Sequence, residues 1–291
     1  MARKIFFVSI LSIVSLISIV FYQWQKFYDG RLHVVFCNVG QGDGIFIRTP
    51  KGLDIIVDGG PDDLILACLS NHMPFWDRDI ELMLLTHPHA DHMNGLLPVL
   101  KRYTVLSFAT EKLENKTLGF QALIDSIKAK HLTIQYAFAG KKIKTPDSVV
   151  LSIVGPTQEF LTKTSPGGTI GESSEFGSLE TLVSYGIFKI LLTGDSQAEE
   201  LQEAIDAGYL GGVDVLQVPH HGSKTGLTDE IFEAIRPGLA VISVGKNKYG
   251  HPTPQTLELL KSNGVKVLRT DQHGDIEIVS DEKKWFVKGR E

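Results

Sequence analysis

The 291-residue chain is poor in residues that mark several classes of protein. It has only two cysteines, Cys37 and Cys68, too few for the disulfide framework of a small secreted domain. Both lie in apolar segments, so we interpret them as small buried hydrophobic residues that do not fix the redox compartment. The chain also lacks low-complexity tracts and repeats at a fixed spacing, which excludes repeat architectures.

One long hydrophobic run is present, at the N-terminus, and it predicts a membrane anchor. Arg3 and Lys4 precede residues 5–22, a stretch of eighteen residues without a charge. Trp24 and Tyr28 follow it, and aromatic residues of this kind are typical of the membrane interface.

No small-residue cleavage site closes this run. We therefore expect residues 1–28 to be an uncleaved signal anchor, with secretion after signal cleavage as the alternative. Because Arg3 and Lys4 stand at the extreme N-terminus, that end is predicted to lie inside. The remaining residues, 29–291, would then form one domain outside the cytoplasm.

The composition is ordinary for a globular domain and is not basic. Of all residues 43% are hydrophobic and 22% are charged, so one large two-layer domain is feasible. Leaving out residues 1–28 removes three of the 29 basic residues and none of the 34 acidic ones, which gives a net charge of −8. A domain this acidic lacks the broad basic stripe that binds a long duplex, so any phosphate contact must be local.

Three imidazoles and one carboxylate fall within six residues, directly after the apolar run 82–85. They are His87, His89, Asp91 and His92. If the strand continues into the loop, its period of two puts His87 and His89 on one side, and Asp91 and His92 lie where the next helix begins. Imidazole and carboxylate suit zinc and its divalent neighbours. The cluster therefore predicts a metal site, against the alternative of a polar surface loop.

Further predicted strands also end in aspartate or histidine. These ends fall at Asp58, at Asp195, at His220 and at His251. Together with the histidine cluster they make five strand ends that carry potential ligands. We expect them to converge at one edge of the fold and to form a single site.

Six short motifs occur in order along the chain. They are Val39-Gly40-Gln41-Gly42-Asp43, Val57-Asp58-Gly59-Gly60, Thr86-His87-Pro88-His89-Ala90-Asp91-His92, Leu192-Thr193-Gly194-Asp195, Pro219-His220-His221-Gly222-Ser223 and Tyr249-Gly250-His251-Pro252. Together they resemble the metallo-β-lactamase fold and, more narrowly, the extracellular hydrolase domain of ComEC-type DNA-internalisation competence proteins. The resemblance implies an α/β (α+β) fold, an αββα sandwich of two mainly antiparallel sheets with helices outside, here following an N-terminal transmembrane anchor helix.

The resemblance also implies a binuclear metal centre. In that family His87 and His89 would hold the first metal and Asp91 and His92 the second, while Asp195 would bridge the two. Asp91 and Asp195 are accordingly expected to take part in catalysis.

Three more histidines have expected roles in the same centre. His220 is our choice for the last ligand of the second metal. His221 would point to the opposite side if strand geometry persists, so only one of the two is expected to ligate easily. For His251 we expect a catalytic role as substrate contact or proton donor, with metal ligation as the alternative.

The chain departs from many members of the broad superfamily at the first metal. No histidine occurs between residues 172 and 185 to complete that site, and Glu175, Glu180 or water could substitute. A site richer in oxygen shifts the expected pair of divalent ions from zinc alone towards manganese or zinc. The chain also lacks the multi-helix channel of the familiar competence proteins, so a separate channel or competence protein would have to supply any DNA transport.

Two adjacent divalent ions can hold a hydroxide between them and neutralise a phosphoryl transition state. The leading hypothesis is therefore a metal-dependent phosphodiesterase, a nuclease acting on single-stranded DNA outside the membrane. One alternative is a hydrolase of a lactone, thioester, β-lactam or phosphocholine ester. Another is a non-catalytic module that uses a metal-stapled fold to hold nucleic acid or cell-wall polymer.

Several polar residues beside the strand ends are candidates for supporting roles. Asp58 and Asp43 would orient the ligating imidazoles, or else only shape turns. The residues that could hold flanking phosphates, unless they are simply solvated, are Ser223, Lys224, Lys246, Asn247 and Lys248.

Overall fold

Two β-sheets stacked face to face form the centre of the protein. The computed structural model describes residues 2–168 and 177–289. Its strands are β1 (Leu32–Phe36), β2 (Gly44–Arg48), β3 (Asp54–Gly59), β4 (Asp79–Ile80), β5 (Leu82–Leu85), β6 (Thr104–Val105), β7 (Phe108–Thr110), β8 (Ile134–Tyr136), β9 (Lys142–Lys144), β10 (Val150–Gly155), β11 (Glu180–Tyr185), β12 (Phe188–Leu192), β13 (Val215–Gln217), β14 (Leu239–Ile242), β15 (Lys266–Arg269), β16 (Ile276–Ser280) and β17 (Trp285–Val287). Its helices are α1 (Ala2–Phe27), α2 (Leu64–His72), α3 (Ala90–Met93), α4 (Leu96–Arg102), α5 (Leu118–Ala129), α6 (Gln158–Thr164), α7 (Ala198–Asp206), α8 (Asp229–Ile235), α9 (Pro254–Ser262) and α10 (Thr270–His273), with a 3₁₀ turn at Pro219–Gly222.

Both sheets mix antiparallel and parallel pairing in nearly equal parts. The first has the order β17-β16-β1-β2-β3-β5-β7-β8 and changes from antiparallel to parallel pairing after β3. The second has the order β15-β14-β13-β12-β11-β10-β9, and its strands β12 to β15 are parallel. The expectation of mainly antiparallel sheets is therefore wrong. A helix lies between most successive parallel strands, because a parallel connection needs a long crossover.

The core consists of three apolar layers, and the pleat of the strands divides the side chains among them. Leu82 and Leu84 of β5 join the layer between the two sheets, whereas Met83 and Leu85 face the helices that cover the first sheet. Helices α7, α8 and α9 cover the other sheet in the same way. The arrangement is the expected αββα sandwich.

Helix α1 has the length and composition of a membrane-crossing helix over Lys4–Phe27, and its apolar eighteen-residue window is not buried against the rest of the chain. Its end is tied to the sandwich. Arg48 is only 2% exposed, donates from Nε to the carbonyl of Phe27 at 3.1 Å and pairs with Asp54. Lys26 donates to the carbonyl of Asn71 at 3.1 Å.

Cys37 and Cys68 form a disulfide, with their Cα atoms 5.7 Å apart. Both are buried, as expected, but the interpretation that they are only small hydrophobic residues is wrong. The chain leaving β1 and helix α2 pack into the same layer, which brings the two thiols together. The bond ties α2 to the loop that carries Asp43.

Candidate metal centre

The ends of strands from both sheets meet at one edge of the sandwich. In the first sheet β3 leads to Asp58 and the neighbouring parallel strand β5 leads to His87. In the second sheet β12 leads to Asp195 and β13 leads to the 3₁₀ turn with His221. Because neighbouring parallel strands end at the same edge, the sequence segments that carry these residues are brought together.

Asp195 is buried at the middle of this edge, with its two oxygens facing different partners. Oδ1 lies 3.2 Å from Nε2 of His92 and 3.4 Å from Nε2 of His221. Oδ2 lies 3.7 Å from Nε2 of His87 and 3.7 Å from Nε2 of His220. A carboxylate in this position can bridge two cations.

Two groups of potential ligand atoms share Asp195. In the first, Asp91, His92, Asp195 and His221 each offer an atom within 4.8 Å of the others. In the second, His87 and His89 do so together with Asp195. These are the two pairs expected from the sequence, with Asp195 between them.

His221, rather than His220, lies beside Asp91 and His92. Nε2 of His221 is 3.5 Å from Oδ2 of Asp91, whereas His220 joins neither group of ligand atoms among the described residues. The expected alternation of a strand does not hold here, because the chain has already entered the 3₁₀ turn. Both residues have a positive φ, 49° at His220 and 54° at His221, so both rings turn towards the site.

His220 also differs from the other histidines in its hydrogen bonding. The side-chain amide of Gln197 donates to Nδ1 of His220 at 2.9 Å. Neutral His220 then carries its proton on Nε2, the nitrogen that faces Asp195. It is arranged to donate a hydrogen bond rather than to present a lone pair to a metal.

Asp58 orients two of the imidazoles at once. Its Oδ2 accepts from Nδ1 of His92 at 2.8 Å and from the Thr86 hydroxyl at 2.6 Å. Since the Thr86 hydroxyl donates to Asp58, it accepts from Nδ1 of His87 at 3.1 Å. In both rings the proton sits on Nδ1 and the lone pair on Nε2, which is the arrangement of metal-ligating histidines.

The third such ring is His221. Its Nδ1 donates to the carbonyl of Ser243 at 2.9 Å. Asp43 lies 3.7 Å from the same nitrogen and is itself held by the amide of Gln217 at 2.7 Å. Burial raises the pKa of Asp43 to about 6, against the opposing charges of His221 and His92. Asp43 thus influences the imidazoles through its charge, without a direct hydrogen bond.

The inward-facing atoms of the centre are buried and unpaired. Nε2 of His87, His92 and His221 and Oδ1 of Asp195 have no hydrogen-bond partner among residues 2–168 and 177–289. Leaving four such polar atoms buried is costly unless something satisfies them. Imidazole nitrogen and carboxylate oxygen are a donor set for zinc or manganese, so the residues fit a pair of divalent ions.

The protonation states differ across the centre. Burial opposes charge on His92 and His221, but Asp195 raises the pKa of both rings, to about 9 for His221, so a cation bound there would take the place of a proton. Burial lowers the pKa of His87 well below its ordinary value, and the neighbouring charge of His92 lowers it further. Burial opposes ionisation of Asp195, but His92 and His221 hold its pKa well below the ordinary range. A neutral imidazole and an ionised carboxylate are the forms that bind a metal.

Of the two proposed substitutes for a third histidine, Glu180 does not join the group of His87 and His89 among the described residues. Glu180 is buried in β11 beside Gly155 and belongs to neither group of ligand atoms in the described part of the chain. Glu175 lies outside the described residues. Nε2 of His220 lies 3.7 Å from Oδ2 of Asp195, the oxygen that also faces His87.

A cavity of about 710 Å³ opens onto the centre. His251 lines it, with its ring centroid 5.3 Å from that of His220, and it joins neither ligand group among the described residues. Burial lowers the pKa of His251, and the charge of His220 lowers it further. Its place in the cavity wall, outside both ligand groups of the described residues, suits a substrate contact.

The predicted phosphate-binding residues take different positions. Ser223 lines the cavity, whereas Lys224, Lys246 and Lys248 are exposed and are not among its lining residues. Asn247 is occupied within its own loop. Its Oδ1 accepts from three backbone N–H groups, and its Nδ2 donates to the carbonyls of Gly245 and His251, so it shapes the loop instead of contacting a phosphate.

Sequence reasoning missed Thr86, Gln217 and Tyr249. Thr86 stands directly before His87, and a hydroxyl next to a ligand motif could have signalled its part in orienting the ring. Gln217 ends β13 and gives no such signal, because its contact with Asp43 joins residues that are distant in sequence. Tyr249 lines the cavity. It lies within one of the six motifs, but the sequence does not show that its ring is exposed at the cavity.

Comparison with known proteins identifies the family. Residues 37–246 match the model of the metallo-beta-lactamase superfamily. This match covers more than half of the chain, and the chain belongs to that superfamily. The αββα sandwich and the position of the histidine cluster agree with it.

The curated relatives are competence proteins of the ComEC type. ComE operon protein 3 of Bacillus subtilis is 30% identical over 270 residues, which cover 86% of this chain and 33% of that protein. Competence protein ComA of Neisseria gonorrhoeae is 35% identical over 91 residues, 30% of this chain and 13% of that protein. The chain thus spans a third or less of the length of these relatives.

Among solved structures, the crystal structure of CmlA, a diiron beta-hydroxylase from Streptomyces venezuelae, superposes with a TM-score of 0.52. The identity is 16%, and the match covers 86% of this chain and 54% of that chain. At this identity the similarity is one of fold. It supports the metallo-β-lactamase sandwich and carries nothing about the reaction.

Proposed function

We propose that the protein is a metal-dependent phosphodiesterase that cleaves single-stranded DNA. The observation that carries the proposal is Asp195, whose two oxygens face two separate groups of ligands with unpaired inward atoms. When bound, two divalent ions lower the pKa of water and neutralise the charge of a phosphoryl transition state. Zinc or manganese would serve.

The proposed ligands form one set for each ion. His87 and His89 would hold one ion, and Asp91, His92 and His221 the other, with Asp195 between them. Asp58 fixes two of the rings, directly and through Thr86.

The cavity wall would hold the substrate. Nε2 of His220 carries a proton towards Oδ2 of Asp195 and can donate it in a hydrogen bond to a phosphoryl oxygen. His251, beside it, can contact the substrate on the leaving-group side. His220 and His251 would orient the substrate, and the metal ions would neutralise its charge.

A single strand suits this site better than a duplex. The cavity has a volume of about 710 Å³, and the domain is acidic outside α1, so it offers no long basic track for two strands. The names of the competence relatives favour DNA as the phosphodiester. A separate channel or competence protein would move the strand across the membrane.

We propose further that the sandwich lies outside the cytoplasm, anchored by α1. The Cys37–Cys68 disulfide supports this location, because such bonds persist in oxidising compartments and are rare in the cytosol. In intact cells, a membrane-impermeant maleimide should label Lys246→Cys on the exposed loop. Labelling only after the cells are opened would contradict the orientation.

The proposed activity is tested with the full chain in detergent, loaded with manganese or zinc. We expect two ions per chain and cleavage of single-stranded DNA, both abolished or strongly reduced in His89→Ala. A lactone and a β-lactam are offered in parallel, because the same centre could hydrolyse them. Turnover of either one, with DNA and a chromogenic phosphodiester left intact, would replace the phosphodiesterase by another hydrolase.

A further inference from the structure

An aromatic ring stands exposed at the mouth of the metal-site cavity. Tyr249 is 63% exposed and lines the cavity together with His89, Asp91 and Asp195. A large ring left open to solvent beside a polar centre offers a flat apolar face to whatever enters. We propose that this ring is a nucleobase subsite, on which a base next to the cleaved phosphodiester stacks. The proposal rests on the phosphodiesterase function.

The loop holds the ring in place before any ligand arrives. Asn247 accepts hydrogen bonds from the backbone N–H groups of Tyr249, Gly250 and His251 at 3.0, 2.9 and 3.1 Å. Its amide also donates to the carbonyls of Gly245 and His251 at 2.9 and 2.8 Å. A loop tied at five points loses little freedom on binding, so its ring is preorganised.

The rings form a row that leads from solvent to the centre. Tyr249 and His251 are stacked, with centroids 5.9 Å apart and planes at 20°. His251 is followed by His220 at 5.3 Å, and Nε2 of His220 lies 3.7 Å from Asp195. A base stacked on Tyr249 would extend this row outwards and leave its own sugar and phosphate to reach the metal edge.

The surroundings favour a nucleotide over a neutral ester. The ammonium of Lys248 lies over the Tyr249 ring, 5.6 Å from its centroid, and this exposed side chain can move aside to a phosphate that flanks the stacked base. Every nucleobase has a π-face, so stacking of this kind accepts any sequence. A lactone or a phosphocholine ester has no aromatic plane to place on the ring.

The test measures binding of labelled (dT)8 to the full chain in EDTA, where no turnover occurs, by fluorescence anisotropy. Tyr249→Ala should weaken binding by roughly 5- to 150-fold, the range measured for stacking of a base on an aromatic side chain. Tyr249→Phe keeps the ring and should stay within about twofold of wild type. Tyr209→Ala, which removes another exposed tyrosine outside the cavity lining, should bind as wild type does.

An abasic strand of the same length separates stacking from a change in loop shape. Wild type and Tyr249→Ala should bind this strand equally weakly. Equal loss on both strands, equal binding of (dT)8 by the two proteins, or no binding of (dT)8 by wild type would overturn the subsite. Cleavage of DNA is measured separately, with metal present. If wild type cleaves DNA but Tyr249→Ala binds (dT)8 as wild type does, the proposed function stands and the subsite is rejected. If Tyr249→Ala binds (dT)8 more weakly but wild type cleaves no DNA, the proposed function is rejected and the subsite stands.

Discussion

At the scale of single residues, the candidate centre separates side chains that face inward from those that orient them. In His87, His92 and His221 a neighbouring oxygen occupies Nδ1, which leaves the Nε2 atom facing Asp195 as the nitrogen available to a metal. Gln197 gives His220 the opposite tautomer. These four of the imidazoles at the edge thus divide into three potential ligands and one hydrogen-bond donor, and the division is made by their hydrogen-bond partners.

Asp58→Asn is the residue-scale prediction. The change leaves every proposed ligand in place but removes the charge that holds His92 directly and His87 through Thr86. Metal affinity should fall by about 10- to 100-fold, as is typical for partners that orient ligating histidines. Isothermal titration with zinc measures it, and Asp271→Asn, which alters an exposed ion pair with Arg269, serves as control. Affinity equal to wild type would contradict the orienting role.

At the scale of elements, two sets of contacts connect helix α2 with the first sheet. One is the Cys37–Cys68 disulfide, which joins residues 31 positions apart. The other is a group of histidines and carboxylates near Phe27, at the C-terminal end of α1. Here His33 of β1 bonds Asp29 at 2.9 Å and Glu277 of β16 at 2.7 Å, and His72 of α2 approaches Glu277 at 3.4 Å.

Loss of the disulfide should destabilise the fold. Closing a loop of 31 residues constrains the unfolded chain by about 3.7 kcal/mol in the chain-entropy model. The melting temperature of wild type should therefore fall in dithiothreitol, whereas that of Cys37→Ala/Cys68→Ala should start lower and not respond. A wild-type protein with two titratable thiols and no response to reductant would contradict the bond.

The histidine and carboxylate group predicts a pH dependence of stability. Burial lowers the pKa of His33, but its hydrogen bonds to Asp29 and Glu277 raise it above the ordinary 6.5. Burial likewise lowers the pKa of His72, but its bonds to Asp275 and Glu277 raise it above 6.5. The folded protein then binds more protons than the unfolded chain. The stability from these pairs is fully present below pH 6.5 and is lost as the pH rises through the folded pKa values.

Denaturant unfolding of the full chain at several pH values measures this effect. Wild type should lose stability as the pH rises above 6.5, and His33→Asn/His72→Asn should lose less over the same range, because the protons of these two rings are absent. The contribution of His221, whose charge burial opposes but whose pKa Asp195 raises to about 9, is the same in both proteins. His131→Asn, at an exposed position, should follow wild type. If the stability of wild type and of the double variant falls in parallel as the pH rises, His33 and His72 do not cause the pH dependence.

At the scale of the whole molecule, the motifs predicted the sandwich and the edge where its strands end. The layers were expected from the family resemblance that the motifs carry, and the meeting of Asp58, the histidine cluster and Asp195 was expected because each follows a predicted strand. The choice between His220 and His221 did not follow, because it depends on two residues with positive φ in a turn. The disulfide was missed for a similar reason, since only packing brings Cys37 to Cys68.

Anomalous diffraction from crystals grown with manganese tests the binuclear centre most directly. We predict two peaks on either side of the Asp195 carboxylate, one next to Asp91, His92 and His221 and the other next to His87 and His89. Data collected on both sides of the manganese edge identify the scatterer. A single peak, or none at this edge of the sandwich with manganese in excess, would contradict a carboxylate that joins two cations.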